Sequence, residues 1–262
     1  MRGYRVIKPL SISLGFLTVL PIPVKGELRP ADMGKAMAFF PIAGAVIGGI
    51  LISADVVLSS ILPGAVVDFI LIAVLALITG GIHLDGLADT VDGLYGGKTR
   101  EDALSIMKDS RVGAIGAVGL IIIIGLKYTA LLSYSQAYPQ ALPQGVKYAA
   151  LLLMPLLSRW SMVLTACLSV YARMSGGTGK DFVETVSPLS LLTATIFASV
   201  AAGVMMGWRG GIVMLFVGGI TLIGVIYFKK RLGGVTGDVL GAVNEVNEVM
   251  VLLVILIMSQ FK

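Results

Sequence analysis

Asp85, Asp89 and Asp92 stand at i, i+4 and i+7 in the stretch GGIHLDGLADTVDGLYGGKTREDALSIMKDSRVGAIG. On a helix turning about 100° per residue they fall at about 0°, +40° and −20°, so the three carboxylates share one face. Carboxylates placed this way repel one another unless a cation lies among them, and an all-oxygen set suits Mg²⁺ or another hard divalent ion. His83, in the same stretch, is the only histidine of the chain, which excludes an imidazole-rich site. Asp109 follows with Lys108 and Arg111 beside it, cations able to neutralise phosphate oxygens near a carboxylate-bound metal. Taken singly, each aspartate would serve equally well as a helix cap or a hydrated loop residue. As a set beside apolar segments they are harder to explain so, because an unpaired charge at the bilayer centre costs about 2.5–3.5 kcal/mol. Gly86, Gly93, Gly96 and Gly97 would let backbone approach a ligand closely, or simply give a pliable loop.

A second acidic group lies in GGVTGDVLGAVNEVNEV, where Glu245 and Glu248 are i, i+3 and Asp238 is seven residues before Glu245. Their carboxylates again gather on one helical face. Thr236 or Asp238 can cap that helix. Gly233, Gly234 and Gly237 near its start could offer backbone N–H groups to a phosphate, a weak signal by itself. The expected metal ligands are Asp85, Asp89, Asp92, Asp109, Glu245 and Glu248, with Lys108, Arg111, Arg159, Asp238 and the three glycines toward substrate. Arg159, within an apolar segment, would pair with one of these carboxylates or line a polar cavity. The segment SGGTGK ending at Lys180 lacks the first glycine and the Ser or Thr of a Walker loop, which removes that reading.

The elements that must hold these residues are membrane helices. The chain has 262 residues with 56% hydrophobic and 13% charged, and its mean hydropathy is +0.94; an ordinary soluble domain is about 25% charged. Apolar stretches long enough to cross a bilayer fall near 36–62, 65–82, 112–133, 147–170, 188–207, 210–228 and 239–260. The expected architecture is all-α, a polytopic helix bundle of about seven crossings in one domain over residues 1–262. Segment 9–24, broken by Pro21 and Pro23, reads as a retained interfacial or re-entrant helix. With the N-terminus inside, 15 of the 20 Lys and Arg residues fall in inside loops, Lys147, Arg209 and Lys262 fall outside, and Lys127 and Arg159 lie within spans. Both acidic stretches then face the cytoplasm of a cell-membrane protein whose C-terminus is outside. The net charge of +5 is thereby explained by topology and gives no reason to expect nucleic acid. A single Cys167 excludes an intrachain disulfide and a cysteine metal cluster.

Two acidic groups on one side, cations nearby and glycine-rich turns describe metal-assisted transfer on a phosphorylated substrate, with no covalent protein nucleophile needed. The segments GGIHLDGLADTVDG, IMKDSRVGAIG and GGVTGDVLGAVNEVNE, together with FLTVLPIPV and FFPIAGAVIG nearer the N-terminus, resemble the signature segments of the cobalamin synthase family. That resemblance spans nearly the whole chain. It implies a multi-pass adenosylcobinamide-GDP ribazoletransferase that joins adenosylcobinamide-GDP to α-ribazole or α-ribazole 5′-phosphate, releases GMP and requires Mg²⁺. Asp85, Asp89, Asp92 and Asp109 would hold metal and pyrophosphate, with Glu245, Glu248 and Asp238 closing the site. His83 or a carboxylate would accept the proton of the attacking hydroxyl. A homo-oligomer and association with other cobalamin-pathway enzymes are both compatible with the sequence.

Two rivals fit less well. A CDP-alcohol phosphotransferase would follow its Asp-Gly pair with Ala-Arg, whereas Asp92-Gly93 is followed by Leu94-Tyr95, with no later aspartate pair at the spacing that family uses. An ion-coupled transporter would place its charges near mid-membrane on broken helices, often within inverted repeats, and no repeat is visible in this sequence.

Overall fold

The computed structural model describes residues 4–137, 144–173, 176–177 and 179–260. Ser175 and Thr178 of the SGGTGK segment, and the basic termini Arg2 and Lys262, lie outside those residues. Twelve helices follow in order among the described residues: α1 (Tyr4–Leu17), α2 (Pro30–Ala36), α3 (Phe40–Leu58), α4 (Gly64–Ile78), α5 (Ile82–Gly96), α6 (Arg100–Ile106), α7 (Ala114–Ala137), α8 (Gln144–Cys167), α9 (Lys180–Thr185), α10 (Pro188–Met206), α11 (Trp208–Leu232) and α12 (Gly237–Gln260), with a 3₁₀ turn at Met37–Phe39. The one extended contact among them is a bridge between Tyr171 and Val235. Six helices among the described residues are long and apolar enough to cross a membrane, and the bent pair α4–α5 makes up to seven. The chain is a multi-pass helical membrane protein, as the hydropathy predicts.

The most enclosed element is α8, whose spanning window is 83% buried. It can be reached so closely because α3 presents Gly44 and Gly48, four residues apart, to its backbone. A Cβ on Gly48 would stand 2.7 Å from Leu152 Cα, and one on Gly44 would overlap the Pro155 carbonyl. Helix α12 lies against α8, α5, α7 and α11. The lipid-facing sides of α10 and α11 keep large apolar side chains outward, among them Val204 and Leu215.

The expected second crossing is sharply bent. Helix α4 stops at Ile78, and the chain turns by 88° into α5. Gly80 and Gly81 make this turn at φ of 62° and 68°, a left-handed geometry that disfavours side chains. The acidic stretch is therefore a helix set into the bundle rather than a loop above it. Its apolar face buries Leu87, which clusters with Ile123 of α7 and Ala242 and Val249 of α12.

Helix α1 has 14 residues and is about 21 Å long, short of a roughly 30 Å hydrocarbon core. It buries Ile12 and Leu17, packs the Phe16 ring with its centroid 4.4 Å from that of Phe182, and just beyond it the Val19 N–H donates to the Ile78 carbonyl at 2.8 Å. A docked, non-spanning helix fits the expectation for this segment.

The connectors gather at one end. Thr185 of α9 bonds Gly34 and Pro30 of α2, Arg100 bonds the Ala172 carbonyl, and Arg231 bonds the carbonyls of Gly97 and Leu94. Helix α12 starts at this end and, at 24 residues, places Gln260 about 36 Å away. Lys147, expected in an outside loop, is instead buried on α8, with Nζ 2.6 Å from Asp55 and 2.9 Å from Asp68. Two acidic partners on α3 and α4 hold that lysine inside the bundle.

Candidate functional site

Helix α5 runs antiparallel to the start of α12, and two glycines set the spacing. A Cβ on Gly86 would be 2.9 Å from Asp238 Cα, and one on Gly241 would be 3.2 Å from His83 Cα. With those faces closed, Asp85 is left exposed and Asp89 half-buried. Asp89 lies in the field of Asp85, Asp238 and Asp92 and of the Arg173 guanidinium. Arg173 is itself fixed, donating to Asp238 at 2.7 Å and to the Met107 carbonyl at 3.1 Å. Thr236 supplies the α12 cap by accepting from the Val239 N–H at 3.2 Å, so Asp238 is available to Arg173.

Asp92 shares that face of α5 but has another task. Its two oxygens accept from the backbone N–H groups of Gly113 and Gly116, each at 2.7 Å, at the start of α7. An anion here satisfies orphan amides and complements the helix dipole. Both glycines are needed, since a Cβ on either would strike the carboxylate. Counting 1.5 Å per residue, Asp89 and Asp85 lie about 4.5 and 10.5 Å further along α5 from this surface anchor.

Glu245 and Glu248 do not join the aspartates. Both are buried, and they face Lys127 of α7 and Arg159 of α8. Lys127 Nζ is 2.6 Å from Glu245 and also pairs with Glu248, while Arg159 Nη1 is 2.5 Å from Glu248. Asn244 adds a bond to Glu248 at 3.1 Å. Two cations against two carboxylates balance the charge within the apolar bundle, so these glutamates need no metal to be stable there. Arg159 thus takes the carboxylate-pairing role of the two expected for it. His83 belongs to this group as well: it is 3% exposed, with Nδ1 3.4 Å from Arg159 Nη2. Its burial against α8 and α12 turns it away from the aspartate face and groups it with Arg159 and Glu248.

Asp109 and Arg111 form a surface pair at 2.6 Å. The Arg111 guanidinium and backbone N–H beside it hold the Asp109 carboxyl well down, at about 2. Lys108 follows α6 and lies on the wall of a cavity shared with Arg173. Gly233 caps α11 at φ 74°. Gly234, at φ 157°, passes against the Val170 carbonyl, leaving no room for a side chain. Both conformations are set by the turn into α12, and of the three expected glycines only Gly237 lies in the first turn of that helix.

The expected six-carboxylate metal set is therefore divided. Among the described residues no three His, Cys, Asp or Glu side chains come together at metal-binding spacing. Asp92 is a helix anchor, Asp109 is paired with Arg111, and the two glutamates are paired in the bundle. Asp85 and Asp89 remain, one turn apart, and two carboxylates completed by substrate phosphates and water are a usual setting for Mg²⁺. Arg173, absent from the expected site, is brought to it by the return of residues 168–173 over α12. The sequence signal for it is weak, since Arg173 reads as one more inside cation.

Comparison with known proteins bears on what this arrangement serves. The model of the family described as cobalamin-5-phosphate synthase matches residues 9–256. The chain belongs to that family. A protein of Geotalea daltonii named adenosylcobinamide-GDP ribazoletransferase is 38% identical, covering 92% of this chain and 94% of its own. Proteins of the same name from Clostridium acetobutylicum and Acetivibrio thermocellus are each 35% identical, over 97% and 95% of this chain and 97% of their own. No solved structure matches. The family match runs through all the segments on which the sequence resemblance rests, from the α1 region to α12.

Proposed function

We propose that this membrane protein is an adenosylcobinamide-GDP ribazoletransferase, joining adenosylcobinamide-GDP to α-ribazole or its 5′-phosphate with release of GMP. The observation that carries the reading is the pair Asp85 and Asp89, side by side on α5 without a hydrogen-bond partner among the described residues, next to the fixed guanidinium of Arg173. Family membership supplies the substrate class. The balance of the reaction is simple: a ribazole hydroxyl oxygen forms a bond to the phosphorus attached to cobinamide, and the bond from that phosphorus to the bridging oxygen of GMP breaks. GMP leaves with the electron pair.

Asp85 and Asp89 would hold Mg²⁺, which when bound supplies charge neutralisation of the pyrophosphate oxygens. The chain's own residues do the rest. Arg173 places positive charge beside the acidic face and keeps it there through the Met107 carbonyl and Asp238. With His83 turned into the bundle, the hydroxyl proton would pass to a carboxylate oxygen of Asp85 or Asp89 that the metal leaves free. Asp92 anchors the start of α7 and so fixes the height of α5. The expected roles of Asp109 and Arg111 reduce to shaping the surface between α6 and α7.

The basic connectors at the same end as these aspartates support a cytoplasmic site in the cell membrane, with the N-terminus inside and the C-terminus outside. The reading is tested by GMP release from adenosylcobinamide-GDP and α-ribazole by the purified protein in detergent. Mg²⁺-dependent release with formation of a cobalamin product is expected, and no release by folded protein with either ribazole form would overturn it.

A further inference from the structure

Beside the acidic face lies a second feature, a cavity of about 380 Å³ between α6 and the 168–173 segment, whose lining includes Arg100, Glu101, Leu104, Lys108, Ala172 and Arg173. We propose that this cavity is the subsite for the guanosine nucleotide of the substrate, with phosphates toward Lys108 and Arg173 and the guanine edge toward Glu101. The proposal rests on the ribazoletransferase reading and adds where the leaving nucleotide sits.

Three of the seven lining residues are cations, and both arginines are held in place by backbone oxygens. Arg100 donates to the Ala172 carbonyl at 2.9 Å, and its guanidinium lies over Gly233, where a Cβ would come within 2.8 Å of it. Arg173 donates to the Met107 carbonyl. Guanidiniums positioned before a ligand arrives are suited to phosphate, because little side-chain freedom is left to lose on binding. Between them, Leu104, Ala172 and the methylene stems of the cations give an apolar wall for a base.

The cavity is also polar in direction. Arg173 joins it to Asp238 and hence to Asp89, where the reacting phosphorus would lie. Arg100 and Glu101 are at the other end of α6, whose seven residues span about 10 Å. Glu101 is the one carboxylate in the lining. The neighbouring Asp102 is engaged in the capping box with Thr99, and Glu101 is not. Guanine presents two adjacent donors, N1–H and the exocyclic amino group, which match the two acceptors of a carboxylate; adenine presents an acceptor and a donor on that edge.

The test is equilibrium binding of GMP and AMP to the purified full chain in detergent with Mg²⁺, read alongside GMP release in turnover. Lys108→Ala, at an exposed position, removes a phosphate partner without touching the core, and Leu104→Trp fills the cavity without changing charge. Each should weaken GMP binding about tenfold or more, the loss of one charge-assisted bond or of the space itself. Glu101→Gln should lower the preference for GMP over AMP about tenfold. Lys230→Ala, a cation of the same end in the last turn of α11, should change GMP binding less than twofold. GMP binding unaltered in both Lys108→Ala and Leu104→Trp would overturn the proposal, as would a wild-type protein that turns over but has no measurable GMP affinity. Cavity-dependent GMP binding without any GMP release would leave the subsite standing and sink the ribazoletransferase reading instead.

Discussion

Lys127 is the residue at which the separation of the two acidic groups can be tested energetically. Its ammonium is 3% exposed and faces Glu245 and Glu248, which share Arg159 as the remaining cation. Lys127→Met keeps an unbranched side chain one atom shorter and leaves two buried carboxylates against one guanidinium. Removing one partner of a buried pair costs about 3–5 kcal/mol, because the charge left behind is uncompensated. For a chain of this size that corresponds to a fall in Tm of about 6–20 °C, taking roughly 2–4 °C per kcal/mol. The double variant Lys127→Met with Glu245→Met restores balance as a single Arg159–Glu248 pair. Apolar replacement of a whole buried pair is often close to neutral, so the double variant should recover to within about 1 kcal/mol of the wild type. Thermal unfolding in detergent, followed by the fluorescence of Trp160, which is buried and bonded to Thr195 at 3.0 Å, gives the readout. A Tm change under about 2 °C in the single variant, or a double variant worse than either single one, would refute the charge-balance reasoning.

Other outcomes follow from the same geometry. Asp92→Ala strips the anchor from the Gly113 and Gly116 amides and should lower stability by about 1–2 kcal/mol in the same unfolding assay, with Asp92→Asn retaining part of it. Gly48→Leu would drive a side chain into the Leu151–Leu152 backbone and should cost at least about 1–3 kcal/mol, seen as loss of the monodisperse folded peak in size-exclusion chromatography. For Asp109, the folded value of about 2 is below the ordinary 3.8, so its stabilising contribution is fully present well above 3.8 and is lost progressively as pH falls from there through about 2. Arg111→Gln should therefore offset the Tm of the protein by the same amount at every pH from 5 to 8, and an offset that changes across that interval would contradict the assignment.

The spans were legible because a stretch of 18 or more apolar residues has few alternatives to a membrane helix. The one crossing that departs from a straight rod, α4–α5, does so at Gly80 and Gly81, and adjacent glycines in sequence signal a turn without giving its angle. The common face of Asp85, Asp89 and Asp92 was legible from helical period alone. What period cannot convey is the partner: Asp92 meets amides 21 and 24 residues away, and Glu245 meets Lys127 at a separation of 118. The clue to the second pairing was nonetheless present, since Lys127 and Arg159 inside apolar spans require two buried anions, and Glu245 and Glu248 are the two acidic residues inside the last span. Arg173 had no such clue, because an inside loop cation has a sufficient explanation in topology. The cavity on α6 was hidden for a related reason, as Arg100 and Lys108 read equally as anchors at the membrane surface.

The most direct test of the account is a Mg²⁺ titration of GMP release in three proteins of matched folding: wild type, Asp89→Asn and Glu245→Gln. The account predicts that Asp89→Asn keeps its Tm and loses activity at every Mg²⁺ concentration. It predicts that Glu245→Gln loses Tm yet reaches half-maximal activity at the wild-type Mg²⁺ concentration. A large rise in the Mg²⁺ requirement of Glu245→Gln, or wild-type turnover by Asp89→Asn, would place the metal chemistry on α12 and contradict the central claim.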